Sequence, residues 1–205
     1  MPFSPTYVPQ TELDAVNQML QSIGQSPVNT LAVTGVKDVN IARQTLHNTL
    51  REVLTRGYDF NSDDQYPLTR DVNGKVAIPA NALKVDPCEA RFRYVERVDP
   101  ADEVRRFYDR DKHTFVLTSD VKVDIVWFFP YVEIPQAARA HIAHKAGRIF
   151  QAGAVGSRIL YEYTKEREME TLAELERSHL QTLDANLFAY DTISSVIFHR
   201  DRNPR

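Results

Sequence analysis

The chain has 205 residues, 42% of them hydrophobic and 26% charged, with a formal net charge of −3. It can bury a core of one large domain, or of one domain with an insertion, and it carries no overall basic field to draw in nucleic acid. Its one cysteine, Cys88, excludes an internal disulfide and a cysteine-based zinc site, and no apolar run is long enough for a transmembrane helix.

Residues 1–10 hold three prolines, which favour an extended lead-in, and Met1–Pro5 lacks the basic and apolar stretches of a signal peptide. A first helix is predicted from Thr11 to Ile23. Thr11 and Asp14 have capping-box spacing, Leu13, Val16, Leu20 and Ile23 share one face, and Gly24 and Pro27 stop the helix. A second is predicted from Asp38, as its N-cap, to Arg56. Its stripe is Ala42, Leu46, Leu50, Val53 and Leu54; Gly57 ends it, and Tyr58 and Phe60 pack back as an aromatic plug.

Between residues 62 and 131 the pattern becomes extended. Asp63-Asp64 reads as a polar loop, and Asn73-Gly74 as a hairpin turn. Strand-like runs follow at Arg91–Val98, Arg105–Tyr108 and His113–Thr118. Val121–Phe129 alternates, with Val121, Val123, Ile125, Trp127 and Phe129 on one side. A third helix starts with Pro135 at its first position and is lined by Ala138, Ile142, Ala146, Ile149 and Phe150. A fourth runs from near Ser157 to Asn186. Its polar middle suits a helix that projects from its domain or lies on a bundle surface. The tail contains a β-prone run, Thr192–Phe198, with no evident partner in its own chain. The expected fold is α+β: an antiparallel four-helix domain (residues 1–61 and 132–186), an inserted antiparallel β unit (62–131) and an extended C-terminal tail (187–205).

Few residues suggest chemistry. His141 and His144 share a helix face, but no third ligand stands nearby, so no metal site is expected and the pair reads as interfacial or solvated. Asp109 and Asp111 flank Arg110, and Asp63 and Asp64 sit together. Paired carboxylates can serve a glycan hydrolase, but turns attract aspartate regardless. Arg91, Arg93, Arg97, Arg105, Arg106, Arg110 and Lys112 are nearly balanced by Glu96, Asp99, Asp102, Glu103, Asp109 and Asp111, which reads as a mixed docking surface rather than a grip on nucleic acid. No phosphate-loop, nucleophile-elbow or zincin motif occurs, and no cofactor is expected.

Several stretches resemble a known family. Leu13-x-Ala15-Val16-Asn17-x-x-Leu20-x-Ser22-Ile23-Gly24-x-x-Pro27-Val28-x-Thr30-Leu31 is similar to the start of the tail tubular protein A family, the head-to-tail adaptors of short-tailed bacteriophages. So are Arg56-Gly57-Tyr58-x-Phe60-Asn61, Tyr108-Asp109-Arg110 and Pro135-x-x-x-Arg139-x-x-Ile142-x-x-Lys145-Ala146-x-Arg148-x-Phe150. The resemblance spans about residues 11–190, departing from the pattern at Tyr58, where tryptophan is expected, and past Leu187. It implies a structural virion protein of the tail, assembled in the host cytoplasm. Such a subunit joins copies of itself in a ring, expected to be a dodecamer, between the portal protein and the tail nozzle protein, with tail fibre protein docking alongside. DNA passes through the channel without specific binding, and no membrane is involved. Tyr58, Phe60, Arg139, Arg148, Phe198, Arg200 and Arg202 are the side chains expected at interfaces. The alternatives are a glycan hydrolase using Asp109 and Asp111, and a nucleic-acid-binding module.

Overall fold

The computed structural model describes residues 9–32, 35–89, 93–156 and 158–187. The chain divides into two compact units: residues 1–46 with 135–205, and residues 47–134.

The first unit is helical. Helix α1 (Glu12–Ser22) starts with the expected capping box: the Asp14 N–H donates to Thr11 Oγ1 at 3.1 Å and the Thr11 N–H to Asp14 Oδ2 at 2.9 Å. These bonds to Thr11 hold the Asp14 carboxyl below its ordinary range. Its buried face is Ala15, Val16, Met19 and Leu20, with Leu13 and Ile23 at the margins. The end is a Schellman turn: Gly24, at φ +78°, donates to Gln21 O at 3.0 Å and Gln25 to Leu20 O at 3.0 Å. Asn17 then reaches forward and takes both polar backbone groups of Val28, at 2.9 and 2.8 Å. Helix α2 (Lys37–Leu54) begins in this unit, where Arg43 pairs with Glu12 at 3.1 Å.

Helix α3 (Gln136–Ala154) packs against α1 and against α4 (Arg158–Leu187). Pro135 takes the N-cap position with an extended ψ of 153°, one residue earlier than expected. Gln10 anchors the lead-in: its N–H donates to Gln136 Oε1 at 3.1 Å, and Arg139 donates to its carbonyl at 3.0 Å. Gln151 donates to the Ser22 carbonyl at 3.1 Å, satisfying an end group of α1 from α3. Arg148 pairs with Glu168, and its other arm donates to the Tyr161 hydroxyl at 3.1 Å. With His141 opposite Thr171, these contacts make α3 and α4 antiparallel. Past Leu175, the described side chains of α4 are exposed or half-buried.

The second unit begins inside α2. After α2, Gly57 turns the chain at φ +79°, where a β-carbon would sit 3.1 Å from Ser62 Oγ and 3.2 Å from Val126 Cγ2, so glycine is demanded twice over. In the short 3-10 turn Asp59–Asn61, Asn61 is 1% exposed. Its amide accepts from the Tyr58 N–H at 2.8 Å and donates to the carbonyls of Leu54 and Trp127 at 3.0 and 2.8 Å. Tyr58 stacks on Phe60 with centroids 5.6 Å apart.

Strands β1 (Ser62–Leu68), β2 (Ala82–Pro87) and β5 (Val121–Trp127) form an antiparallel sheet in the order β1-β5-β2. β3 (Tyr94–Val98) and β4 (Arg105–Asp109) pair separately. The polar stretch read as a loop at Asp63-Asp64 is edge strand β1, whose register shifts between Asp63 and Tyr66, with Gln65 at φ +53°. The run His113–Thr118 makes only isolated bridges, at Thr114 and Val116. The Asn73-Gly74 turn is present, tied by Asp71 Oδ1 to the N–H groups of Asn73 and Lys75. Val121, Val123 and Ile125 point inward as the alternation required, and join Leu68, Val76, Ile78, Tyr94, Phe107 and Leu117 in one core.

An α+β composition is therefore observed, but the expected four-helix domain carrying an inserted β unit is not. The boundary between units falls within α2, after Leu46, so four whole helices do not share one unit. The strands make two small antiparallel sheets. Periodicity marked α2 as continuous and could not show where its packing partners change. The expected extended tail, with Thr192–Phe198, lies outside the described residues.

Candidate functional site

The β3–β4 hairpin resolves the near-balanced charge of its sequence into two places. Arg106 and Asp99, 8% and 3% exposed, form an ion pair at 3.1 Å; Asp102 adds a bond at 2.7 Å and Lys75 meets Asp99 at 2.6 Å. These contacts, the Lys75 bond foremost for Asp99 and the Arg106 bond for Asp102, hold both carboxyls below their ordinary range and raise the Arg106 guanidinium. Asp109, also buried, accepts from the N–H groups of Asp111 and Lys112 at 2.9 and 3.1 Å. Glu96 pairs with Arg105 at 2.8 Å.

With those acids engaged, Arg93, Arg97, Tyr108, Arg110 and His113 line a shallow cleft of about 250 Å³. The Arg97 guanidinium lies 4.1 Å from the Tyr108 ring centroid, and Phe115 meets that ring edge-on at 5.0 Å. Asp111 pairs with Arg93 at 3.4 Å at the rim, where both are exposed. The cleft is suited to carboxylates or phosphates.

Because the folded pKa values of Asp99 and Asp102 lie below the usual 3.8, their contribution to stability is complete above that value. It is lost as pH falls through the folded values. The urea midpoint followed by the single tryptophan, Trp127, should fall as pH drops below 3.8, and Asp99→Asn should flatten that dependence. A midpoint in Asp99→Asn that falls as steeply as in the parent would contradict this.

In the helical unit, Ile23, Ile41, Thr45, Ile149, Phe150 and Val155 line an open groove of about 590 Å³ where the end of α1, the start of α2 and the end of α3 meet. Ile41, Ile149 and Val155 are 43%, 40% and 47% exposed. The Ile149 side chain, expected in the core stripe of α3, thus faces this groove. Elsewhere α4 exposes Tyr163, Met169 and Leu180 by 72%, 61% and 56%.

The expected interface side chains sit as follows. Tyr58 and Arg139 are buried, Phe60 is half-buried, and Arg148 is occupied between α3 and α4. Phe198, Arg200 and Arg202 lie outside the described residues. The carboxylates Asp109 and Asp111 do not face one cleft as a pair: one caps a turn from inside and the other is solvated. Asp63 accepts from the Trp127 indole at 2.8 Å. His141 is buried with Thr171 Oγ1 at 3.5 Å, not solvated, because α4 covers that face; burial lowers the pKa of the half-exposed His144. Cys88 is exposed, with Asp124 Oδ1 3.2 Å from its sulfur.

Among the described residues, no group of three or more His, Cys, Asp or Glu is arranged to hold a metal ion, and no helix is long and apolar enough to cross a membrane. Asn17 and Gln151, which sequence reasoning left without roles, prove to be structural ties, and so does the Asp99–Arg106 pair, which it had counted in a mixed docking surface. For Asn17 the signal was its place inside the first motif.

Comparison with curated proteins gives no match. A family model described as tail tubular protein matches residues 13–185, most of the chain and nearly all of the span marked by the sequence motifs. The motif residues have physical reasons to be there: Gly24 and Gly57 hold positive φ, and Asn17, Asn61 and Arg139 tie the chain to itself. The chain belongs to the tail tubular protein family and is a structural component of a phage tail.

Proposed function

We propose that this chain is the head-to-tail adaptor subunit, closing into a ring between portal and tail nozzle, with a channel through which DNA passes. The ring is taken to be a dodecamer assembled in the host cytoplasm. One observation carries the reading. Helix α4 extends for 30 residues, yet among its described side chains only Thr171 and Leu175 are buried, while large apolar groups stay in water. A closed ring needs two different complementary faces on every subunit, and such a helix supplies one. The cationic cleft of the β3–β4 hairpin is the docking surface assigned to nozzle or fibre protein, through acidic side chains. Phe198, Arg200 and Arg202, in the tail, are assigned to interfaces, whereas Tyr58, Phe60, Arg139 and Arg148 are engaged within their own units.

Negative-stain microscopy of the purified chain, alone and with portal protein, tests the proposal. Rings are expected in at least the second sample, and isolated particles in both would overturn it. Deleting residues 187–205 should leave a folded chain that joins the ring poorly; assembly equal to the full chain would remove the tail from the account.

A further inference from the structure

The outward face of the β3–β4 hairpin sets arginines directly against one another. Alternation puts Arg93, Val95 and Arg97 on one side, and the register sets Arg97 opposite Arg106 and Val95 opposite Tyr108. The Arg110 N–H donates to the Arg93 carbonyl at 3.2 Å, which carries the pairing one step further and sets Arg93 opposite Arg110. Like charges directly opposite each other destabilise a sheet. Arg106 is answered by Asp99 and Asp102, and Arg93 by Asp111 at 3.4 Å. Among the described residues, no carboxylate pairs with Arg97 or Arg110.

Arg97 is set in place for a ligand. Its guanidinium lies 4.1 Å from the Tyr108 ring centroid, and Phe115 meets that ring edge-on. Stacking holds a guanidinium without using its N–H donors, which remain for an anion. Arg110 and His113 line the same space of about 250 Å³, His113 from a turn position at φ +53°. An anion bound there relieves the facing charges and meets donors that are already ordered.

The extent of the cationic stretch separates a carboxylate from a nucleic-acid backbone. From Arg93 to Arg97 it runs about 13 Å, at about 3.3 Å per residue. Asp111 bounds it at one end, and Asp99 and Asp102 at the other. A duplex carries a charge about every 1.7 Å and would run onto these acids. A single acidic side chain does not, and its planar carboxylate fits a guanidinium fork bidentately.

We infer that the cleft is a carboxylate-binding site, in which Arg97 and Arg110 take an aspartate or glutamate side chain of a partner protein and His113 donates beside them. The inference rests on the docking reading of this cleft and deepens it, by naming the group received and the side chains that receive it. Asp111 competes for Arg93 only weakly, since both side chains are more than half exposed.

Fluorescence anisotropy of the full chain tests this with a labelled glutamate-rich peptide, its glutamine counterpart and an oligothymidylate of equal charge, all at low salt. The acidic peptide should bind more tightly than either. Arg97→Gln and Arg110→Gln should each weaken it at least about tenfold, and Arg97→Lys, which keeps the charge but loses the fork, at least about fivefold. Arg56→Gln, at an exposed position outside the hairpin, should weaken it less than about twofold. Arg97 and Arg110 are exposed, so their substitution should leave the urea midpoint in place. Equal binding of the glutamate and glutamine peptides, or equal losses in Arg97→Gln and Arg56→Gln, overturns the inference. So does tighter binding of oligothymidylate that Arg97→Gln abolishes. Rings seen by microscopy without peptide binding leave the adaptor reading standing and end this one; peptide binding without rings does the reverse.

Discussion

Replacing Phe107 by alanine should cost the β-rich unit about 3–5 kcal/mol. The ring is 1% exposed and lies among Val76, Val123 and Ile125, each no more than 1% exposed, with the Tyr94 ring 6.4 Å away. Its backbone cannot follow a shrinking side chain, because the Phe107 N–H is fixed to the Val76 carbonyl at 3.2 Å and β4 is paired with β3. A cavity therefore remains. Since small domains have only about 5–15 kcal/mol of stability, a large fraction of it would be lost. Phe107→Leu, which refills much of the space, should cost less than about 1.5 kcal/mol. Urea unfolding followed by Trp127 fluorescence measures both. A loss under about 1 kcal/mol for alanine would show that Phe107 is not the centre of this core.

Asn61→Ala should cost about 3 kcal/mol. The substitution orphans the Tyr58 N–H and the carbonyls of Leu54 and Trp127, and a buried unpaired group costs about 1–3 kcal/mol. Asn61→Asp is the more informative change. A carboxylate still accepts from Tyr58, but it turns negative oxygen toward two carbonyls. It should destabilise at least as much as alanine at neutral pH, and less as pH falls and the acid protonates. Equal stability of Asn61→Asp and the parent at neutral pH would refute the assigned amide orientation.

Much of this was readable in the residues, for physical reasons. The end of α1 was legible because Gly24 and Pro27 permit little else, and β5 because Val121, Val123 and Ile125 alternate strictly. β1 was not: Asp63, Asp64 and Pro67 argue for a loop, and only pairing with β5 makes that segment a strand. The charge tally over residues 91–112 concealed the cationic cleft, because a tally cannot know that Asp99, Asp102 and Asp109 are engaged in the hairpin's ion pairs and turns. The division within α2 was hidden for a related reason: an apolar stripe reports that a helix is covered, not by what.

The outer strands of the three-stranded sheet have a consequence for a chain that is built into a phage tail. β1 is interrupted by the Gln65 kink and by Pro67, and β2 shifts register after Ala82 and ends at Pro87. Neither rim offers an unbroken row of amide hydrogens and carbonyls to a stray strand. Concentrated copies are thereby steered away from cross-β fibrils, whose growth has no natural limit.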